Sequence, residues 1–113
     1  MVEDEPCLRL VAADYLEECG FAVLQAANAD EAIALLRRRD GVAAVFSDIQ
    51  MPGSVNGVGL ARWIAEALPD VAVLLTTGQT LHGNPREWPL LAKPYDLAEV
   101  ECQLREMVER GGD

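Results

Sequence analysis

The side chains of this sequence best suited to chemistry are carboxylates, a hydroxyl and an amine at the ends of predicted strands. They are Glu3 and Asp4, Asp48, Thr77 and Lys93. Parallel strands joined by right-handed crossovers bring their carboxyl ends to one edge of a sheet, which is where open α/β sheets bind ligands. We therefore expect these side chains to converge on one site.

These side-chain types suit the transfer of a phosphoryl group. Carboxylates gathered in one place repel one another and need a cation, and hard oxygen ligands suit Mg²⁺. Lys93 can offer a positive charge and Thr77 a hydrogen bond to phosphate oxygens, while Asp48 can act as a nucleophile and form an aspartyl phosphate. Structural alternatives stay open: Asp48 as a cap of the following loop, Glu3 and Asp4 as acids favoured by a helix dipole, and Thr77 bonded to its own backbone.

Alternating helix and strand patterns must position these residues. The apolar run 42–46 leads toward Asp48 and is typical of a strand buried on both faces, predicted over 42–47. Further strands are predicted at 21–26, 71–76 and 90–92, and helices after Pro6, after an Asn28 cap, across 60–68 and after an Asp96 cap. This order predicts a parallel sheet covered by helices on both faces. Only Met1 and Val2 precede the acidic cluster, too few residues for a useful first strand.

Composition limits the class of protein. The chain has 113 residues, and 50% of them are hydrophobic, which suits one domain with a modest core. Its formal net charge of −10 argues against direct nucleic-acid binding. The 3 cysteines are widely spaced, which predicts reduced thiols and a cytoplasmic location rather than a disulfide framework. No apolar run is long enough to span a membrane, and no signal peptide is visible.

The motifs resemble those of the bacterial response-regulator receiver domain of two-component systems. The likeness runs through Val-Glu-Asp-Glu-Pro at 2–6, Asp-Ile-Gln-Met-Pro-Gly at 48–53, Thr77-Gly78 and Lys-Pro-Tyr at 93–95, in the right order over the whole chain. The resemblance implies a single receiver domain over residues 1–113. It also implies a flavodoxin-like (βα)5 fold with strand order 2-1-3-4-5, whose first strand is nearly missing from this sequence.

The resemblance also implies roles for particular residues. Asp48 would be the phosphoacceptor, and Thr77 and Lys93 would bind the phosphoryl oxygens. The Mg²⁺ ligands would be Asp4, Asp48, the backbone carbonyl of Gln50 and, through water, Glu3. The donor would be a phosphohistidine on a sensor histidine kinase or a histidine phosphotransfer protein. The domain would then be a signalling protein and not an enzyme, at most promoting its own phosphorylation and dephosphorylation.

The sequence departs from the family pattern in several places. Leu90 stands where the family usually has an aromatic switch residue, so the standard coupling of phosphorylation to a surface change cannot operate. The segment between Thr77 and Lys93 is short and contains prolines, which predicts a fourth helix that is absent or frayed, as in receivers with Thr-Gly at this site. Apolar surface left by a missing first strand would promote self-association, such as a homodimer.

Two functions therefore compete. The first is a Mg²⁺-dependent phosphoacceptor receiver that signals through protein contacts. The second is a receiver-like interaction module that keeps the fold but does not switch. An unrelated hydrolase or phosphatase using Asp48 is disfavoured, because it would want a second carboxylate two residues later and that residue is Gln50.

Overall fold

The computed structural model describes residues 1–51, 55–78 and 88–111. Helices and strands alternate along most of these ranges. The elements are α1 (Pro6–Glu18), α2 (Ala29–Arg38), β1 (Ala44–Asp48), α3 (Gly57–Ala67), β2 (Ala72–Thr77), β3 (Leu90–Ala92) and α4 (Leu97–Gly111). The degenerate fourth helix that the sequence predicts between β2 and β3 falls mostly on 79–87, outside the described residues.

The strands form a parallel sheet in the order β1-β2-β3, which confirms the predicted fold class. Asp48 lies opposite Thr76 in the β1–β2 register, and Thr77 lies opposite Ala92 in the β2–β3 register. The last residues of β1 and β2 therefore lie at the same edge of the sheet as the lysine that follows β3.

Val2 occupies the place of a central first strand. It forms parallel bridges to both Ala26 and Ser47, its N–H donates to the carbonyl of Phe46 at 2.8 Å, and its carbonyl accepts from the N–H of Asp48 at 3.2 Å. The prediction of a strand over 21–26 is wrong. Within this segment of the described structure, Ala26 alone takes part in a bridge. A strand needs a neighbour along its length, and residues 1–2 are too few to pair with more of it.

Helices cover both faces of the sheet, as the alternation predicts. Buried residues of α2 and α3, such as Ala32 and Ile64, pack with Val45 and Val73 on one face. Leu16 of α1 and Val100 of α4 pack on the other face in a second cluster. The two apolar layers hold the carboxyl edge of the sheet in place from both sides.

The helix starts follow the predicted caps. Pro6 is in the first turn of α1, where the Glu5 side chain accepts from the backbone N–H groups of the next residues. The Asn28 side chain accepts from the N–H of Glu31 at 2.9 Å, and the Asp96 side chain accepts from the N–H of Ala98 at 3.0 Å. Each cap satisfies an N–H that would otherwise lack a partner.

An apolar cavity, called here the apolar slot, lies between segment 21–26 and β1. Its volume is about 490 Å³, and its lining includes Met1, Leu16, Leu35, Val45 and Phe46. Its lining also includes Val2 and residues of both segments that Val2 bridges. The structure thus confirms that the first strand is nearly missing and shows where the open space lies.

Two negative findings concern the part of the chain that the structure describes. None of its helices is both long enough and apolar enough to cross a membrane. Cys7, Cys19 and Cys102 are free thiols, in agreement with the sequence-based prediction of reduced cysteines.

Candidate functional site

Three carboxylates meet at the carboxyl edge of the sheet. One carboxylate oxygen from each of Glu3, Asp4 and Asp48 lies within 4.8 Å of the others. Glu3 and Asp48 are buried, with 2% and 5% exposure, whereas Asp4 is exposed. Glu3 and Asp4 come from the turn into α1 and Asp48 from the end of β1, so the fold brings Asp48 to two acids that are distant from it in the sequence.

Lys93 faces this acidic pocket from the end of β3. Its Nζ donates to Asp48 Oδ2 at 2.7 Å and to Glu3 Oε1 at 3.4 Å. The lysine is anchored through its backbone, because its N–H donates to the carbonyl of Thr77 at 2.8 Å. The peptide bond from Lys93 to Pro94 is cis. The predicted convergence of acids and amine is therefore present in the structure.

Gln50 contacts both Asp48 and Thr77. Its backbone N–H donates to Asp48 Oδ1 at 3.2 Å, and its side-chain Oε1 accepts from Thr77 Oγ1 at 2.8 Å. The hydroxyl of the neighbouring Thr76 is buried and has no hydrogen-bond partner among the described residues. Of these two adjacent threonines, Thr77 is the one whose hydroxyl contacts the loop that follows Asp48.

Sequence reasoning missed three supporting groups. The Arg9 guanidinium donates to the carbonyl of Glu3 at 2.9 Å, and the Ser47 hydroxyl donates to the carbonyl of Asp48 at 3.0 Å. Gly57 begins α3 so close to the end of β1 that a Cβ there would lie 2.3 Å from the Asp48 carbonyl oxygen. No pattern in the sequence marks Arg9 or Ser47. The sequence signal for Gly57 is limited to its place shortly before the helix predicted across 60–68.

Burial and charge shift the acid–base behaviour of the pocket. Burial raises the pKa of Glu3 above its ordinary value of 4.5, although the N–H of Glu5 and the charge of Lys93 oppose that shift. Burial alone would lower the pKa of Lys93, but its hydrogen bond to Asp48 and the charges of Asp48 and Glu3 outweigh burial and raise it above 10.5. Lys93 therefore stays an ammonium, and the ionised pocket holds more negative than positive charge.

The oxygen donors suit a hard divalent cation. Three carboxylates face one ammonium, so the ionised pocket retains net negative charge that a cation would offset. Carboxylate and carbonyl oxygens with one solvent-facing side are the donors that Mg²⁺ uses, because it keeps several of its waters. The exposure of Asp4 leaves that side open to solvent.

A parallel α/β sheet with three carboxylates and a lysine at its carboxyl edge is the arrangement that the sequence resemblance implies for a receiver domain. The comparison with known families agrees: the family model described as response regulator receiver domain matches residues 1–86. The chain belongs to the response regulator receiver domain family of two-component systems, whose members are signalling domains rather than classical enzymes.

Individual relatives support the assignment. The chain is 29% identical over 117 residues to the sensor kinase CckA of Brucella abortus (strain 2308), covering 97% of this chain and 12% of that protein. It is 35% identical over 86 residues to the nitrogen assimilation regulatory protein NtrX of Azorhizobium caulinodans, covering 74% of this chain and 18% of that protein. The chain thus spans less than a fifth of the length of these curated relatives.

Solved structures agree on the fold. The signal receiver domain of an HD domain-containing protein from Pseudomonas fluorescens Pf-5 superposes with a TM-score of 0.89, covering 98% of this chain and 93% of that one. Its sequence identity is 24%. This likeness therefore concerns the flavodoxin-like receiver fold.

Proposed function

We propose that this chain is a Mg²⁺-dependent phosphoacceptor, with Asp48 receiving a phosphoryl group from a phosphohistidine. The observation that carries the proposal is the short contact between Lys93 Nζ and Asp48 Oδ2, 2.7 Å, inside a pocket with two further carboxylates. The unit would be the single domain 1–113. It would act in the cytoplasm without binding nucleic acid or membrane, in keeping with the acidic composition and free thiols.

Four residues would hold the metal ion in this proposal. They are Asp4, Asp48, Gln50 through its backbone carbonyl, and Glu3 through water. A bound Mg²⁺ would neutralise carboxylate charge and screen the negative charge of the incoming phosphoryl group.

The side chains divide the work of the transfer. An Asp48 oxygen attacks phosphorus, the bond from phosphorus to the donor histidine nitrogen breaks, and the histidine keeps that electron pair. Lys93 already contacts Asp48, and its ammonium can bind a phosphoryl oxygen once the group is transferred. The Thr77 hydroxyl can donate a hydrogen bond to a second phosphoryl oxygen. Partial burial of Lys93, with 25% of its side chain exposed, strengthens its interaction relative to that of a surface lysine.

The proposed donor is a histidine kinase or a histidine phosphotransfer protein. The similarity to a sensor kinase and to a nitrogen regulatory protein supports a place in a two-component pathway. The output would be a protein contact, since a net charge of −10 disfavours nucleic acid.

A second function is a receiver-like interaction module that does not switch. Leu90 favours it, because this half-buried side chain packs against the apolar core on the α2–α3 face. A leucine has no aromatic ring or hydroxyl group, so it cannot move between an exposed polar environment and a buried one as an aromatic switch residue does. In this case the acidic pocket would be retained without a response to phosphorylation.

Amide NMR spectra with Mg²⁺ and beryllofluoride, a mimic of the phosphoryl group, test the two functions. The phosphoacceptor predicts saturable shifts around Asp48, Thr77 and Lys93. Asp48→Asn should abolish the beryllofluoride response because it removes the oxygen anion that binds the mimic. Asp70→Asn is the matched control, since Asp70 is an exposed acid in the turn before β2.

The outcomes separate the proposals. Saturable shifts in the wild type and in Asp70→Asn, but not in Asp48→Asn, support the phosphoacceptor. If the folded wild-type protein shows no amide shifts on addition of beryllofluoride at saturating Mg²⁺, the phosphoacceptor function is contradicted and the non-switching module is favoured.

A further inference from the structure

Gln50 connects Asp48, the proposed nucleophile, to Thr77, the proposed hydrogen-bond donor to a phosphoryl oxygen. Its backbone N–H contacts Asp48 Oδ1, and its side-chain Oε1 accepts the hydrogen bond of Thr77 Oγ1, at 3.2 Å and 2.8 Å respectively. This side-chain contact joins residues 27 positions apart and ties the loop after β1 to the end of β2. The backbone carbonyl of Gln50 was expected at the metal, but its side chain had no predicted role.

A hydroxyl group has a single proton to donate. In this structure Thr77 donates it to Gln50 Oε1. The same proton cannot at that moment be donated to a phosphoryl oxygen. The hydrogen bond to Gln50 must therefore break before Thr77 can take the role proposed for it.

We propose that Gln50 is a positioning residue. The side-chain amide oxygen of Gln50 accepts the hydrogen bond of the Thr77 hydroxyl and so competes with the phosphoryl group for the Thr77 proton. This inference rests on the proposed phosphoacceptor function. The competition lowers the affinity of the site for a phosphoryl group and tunes how readily Asp48 stays modified.

The size of the competition follows from one hydrogen bond. Gln50 is partly exposed, so water can solvate its amide once Thr77 turns away, and the cost of release is that of an ordinary exchange. Removing the amide should tighten binding of a phosphoryl mimic roughly fivefold. The proposed metal contact is not affected by a side-chain substitution, because it uses the backbone carbonyl.

A double-mutant cycle measures the competition directly. Beryllofluoride affinity at saturating Mg²⁺ is determined by NMR for the wild type, Gln50→Met, Thr77→Val and the double variant. Methionine keeps the length of the side chain without an oxygen acceptor. We expect Gln50→Met to bind roughly fivefold more tightly than the wild type, and to have no effect in the Thr77→Val background. Gln50→Glu, which retains an acceptor for Thr77, should not tighten binding.

Each result bears on one of the two proposals. An equal effect of Gln50→Met in both backgrounds would show a general change of the loop and would overturn the role of Gln50, as would no effect in either. Thermal unfolding of each variant establishes that it is folded. A wild type that does not bind beryllofluoride at all would instead contradict the phosphoacceptor function itself.

Discussion

Glu3 has only 2% of its surface exposed, yet its carboxylate lies in a pocket with two other acids. Two contacts support it, the N–H of Glu5 at 3.2 Å and Lys93 Nζ at 3.4 Å. These contacts do not fully offset burial, since the pKa of Glu3 is raised. Burial of the Glu3 carboxylate beside two other acids is therefore unfavourable, and a bound cation can offset that unfavourable charge.

The raised pKa of Glu3 gives a pH-dependent prediction. Because the folded state holds the Glu3 proton more strongly than the unfolded state, the contribution of Glu3 to stability is fully present below pH 4.5 and is lost as pH rises through its folded pKa. Glu3→Gln keeps the shape and the acceptor for Glu5 but carries no charge. We expect this variant to be more stable than the wild type at neutral pH without Mg²⁺, and the difference to shrink toward pH 4.5.

Urea denaturation over a pH series measures this difference. Glu66→Gln, at an exposed position of α3, is the matched control and should follow the wild type. A Glu3→Gln variant that is less stable than the wild type at neutral pH would show that the contacts of Glu3 offset the cost of burying its charge, and would contradict this prediction.

Elements meet at the site through their ends. The N-terminus of α3 lies against the end of β1, where the N–H of Gly57 donates to the carbonyl of Ile49 at 3.0 Å. Only a residue without Cβ fits, because a Cβ would lie 2.3 Å from the Asp48 carbonyl oxygen and 2.8 Å from Ile49 Cα. Both contacts are to backbone, which cannot rotate away, so α3 and β1 fix the position of Asp48 together.

Gly57→Ala should therefore destabilise the protein by about 1–3 kcal/mol and weaken Mg²⁺ binding through displacement of Asp48. Gly59→Ala is the matched control in the same helix, since its Cβ would meet the side chain of Val55 at 2.8 Å, which can move. Its cost is offset by the better helix propensity of alanine. Chemical denaturation with and without Mg²⁺ compares the two. Equal destabilisation would contradict the argument for a rigid contact.

Local patterns predicted the elements better than the contacts between them. The Asn28 cap and the buried run into Asp48 depend on neighbours in sequence, and the structure confirms both. Segment 21–26 has the composition of a strand, but among the described residues only Ala26 of this segment forms a bridge. The bond from Thr77 to Gln50 depends on how a loop closes against the next strand. Sequence patterns carry little information about such contacts.

Across the whole molecule, the two apolar layers close well around the site but leave the apolar slot between segment 21–26 and β1. The site edge is held by Val2, which bridges to both walls. Away from that edge the slot has a volume of about 490 Å³, and Arg39 and Asp40 are the charged residues among those that line it. A largely apolar cavity of this size can hold a small apolar molecule.

The slot predicts that the 113-residue chain binds a neutral apolar dye such as Nile red. Leu35→Asp places a charge in the lining of the slot and should weaken dye binding about tenfold, because a buried charge is costly without a partner. Leu10→Asp is the matched control, since Leu10 is 52% exposed on α1 and does not line the slot.

Leu35→Trp fills the space without a charge and should also reduce binding, which separates loss of the cavity from loss of the fold. Dye fluorescence titrations, with circular dichroism to confirm folding, measure these effects. Equal dye binding by the wild type and both Leu35 variants would place the dye elsewhere and show that the slot is closed in solution.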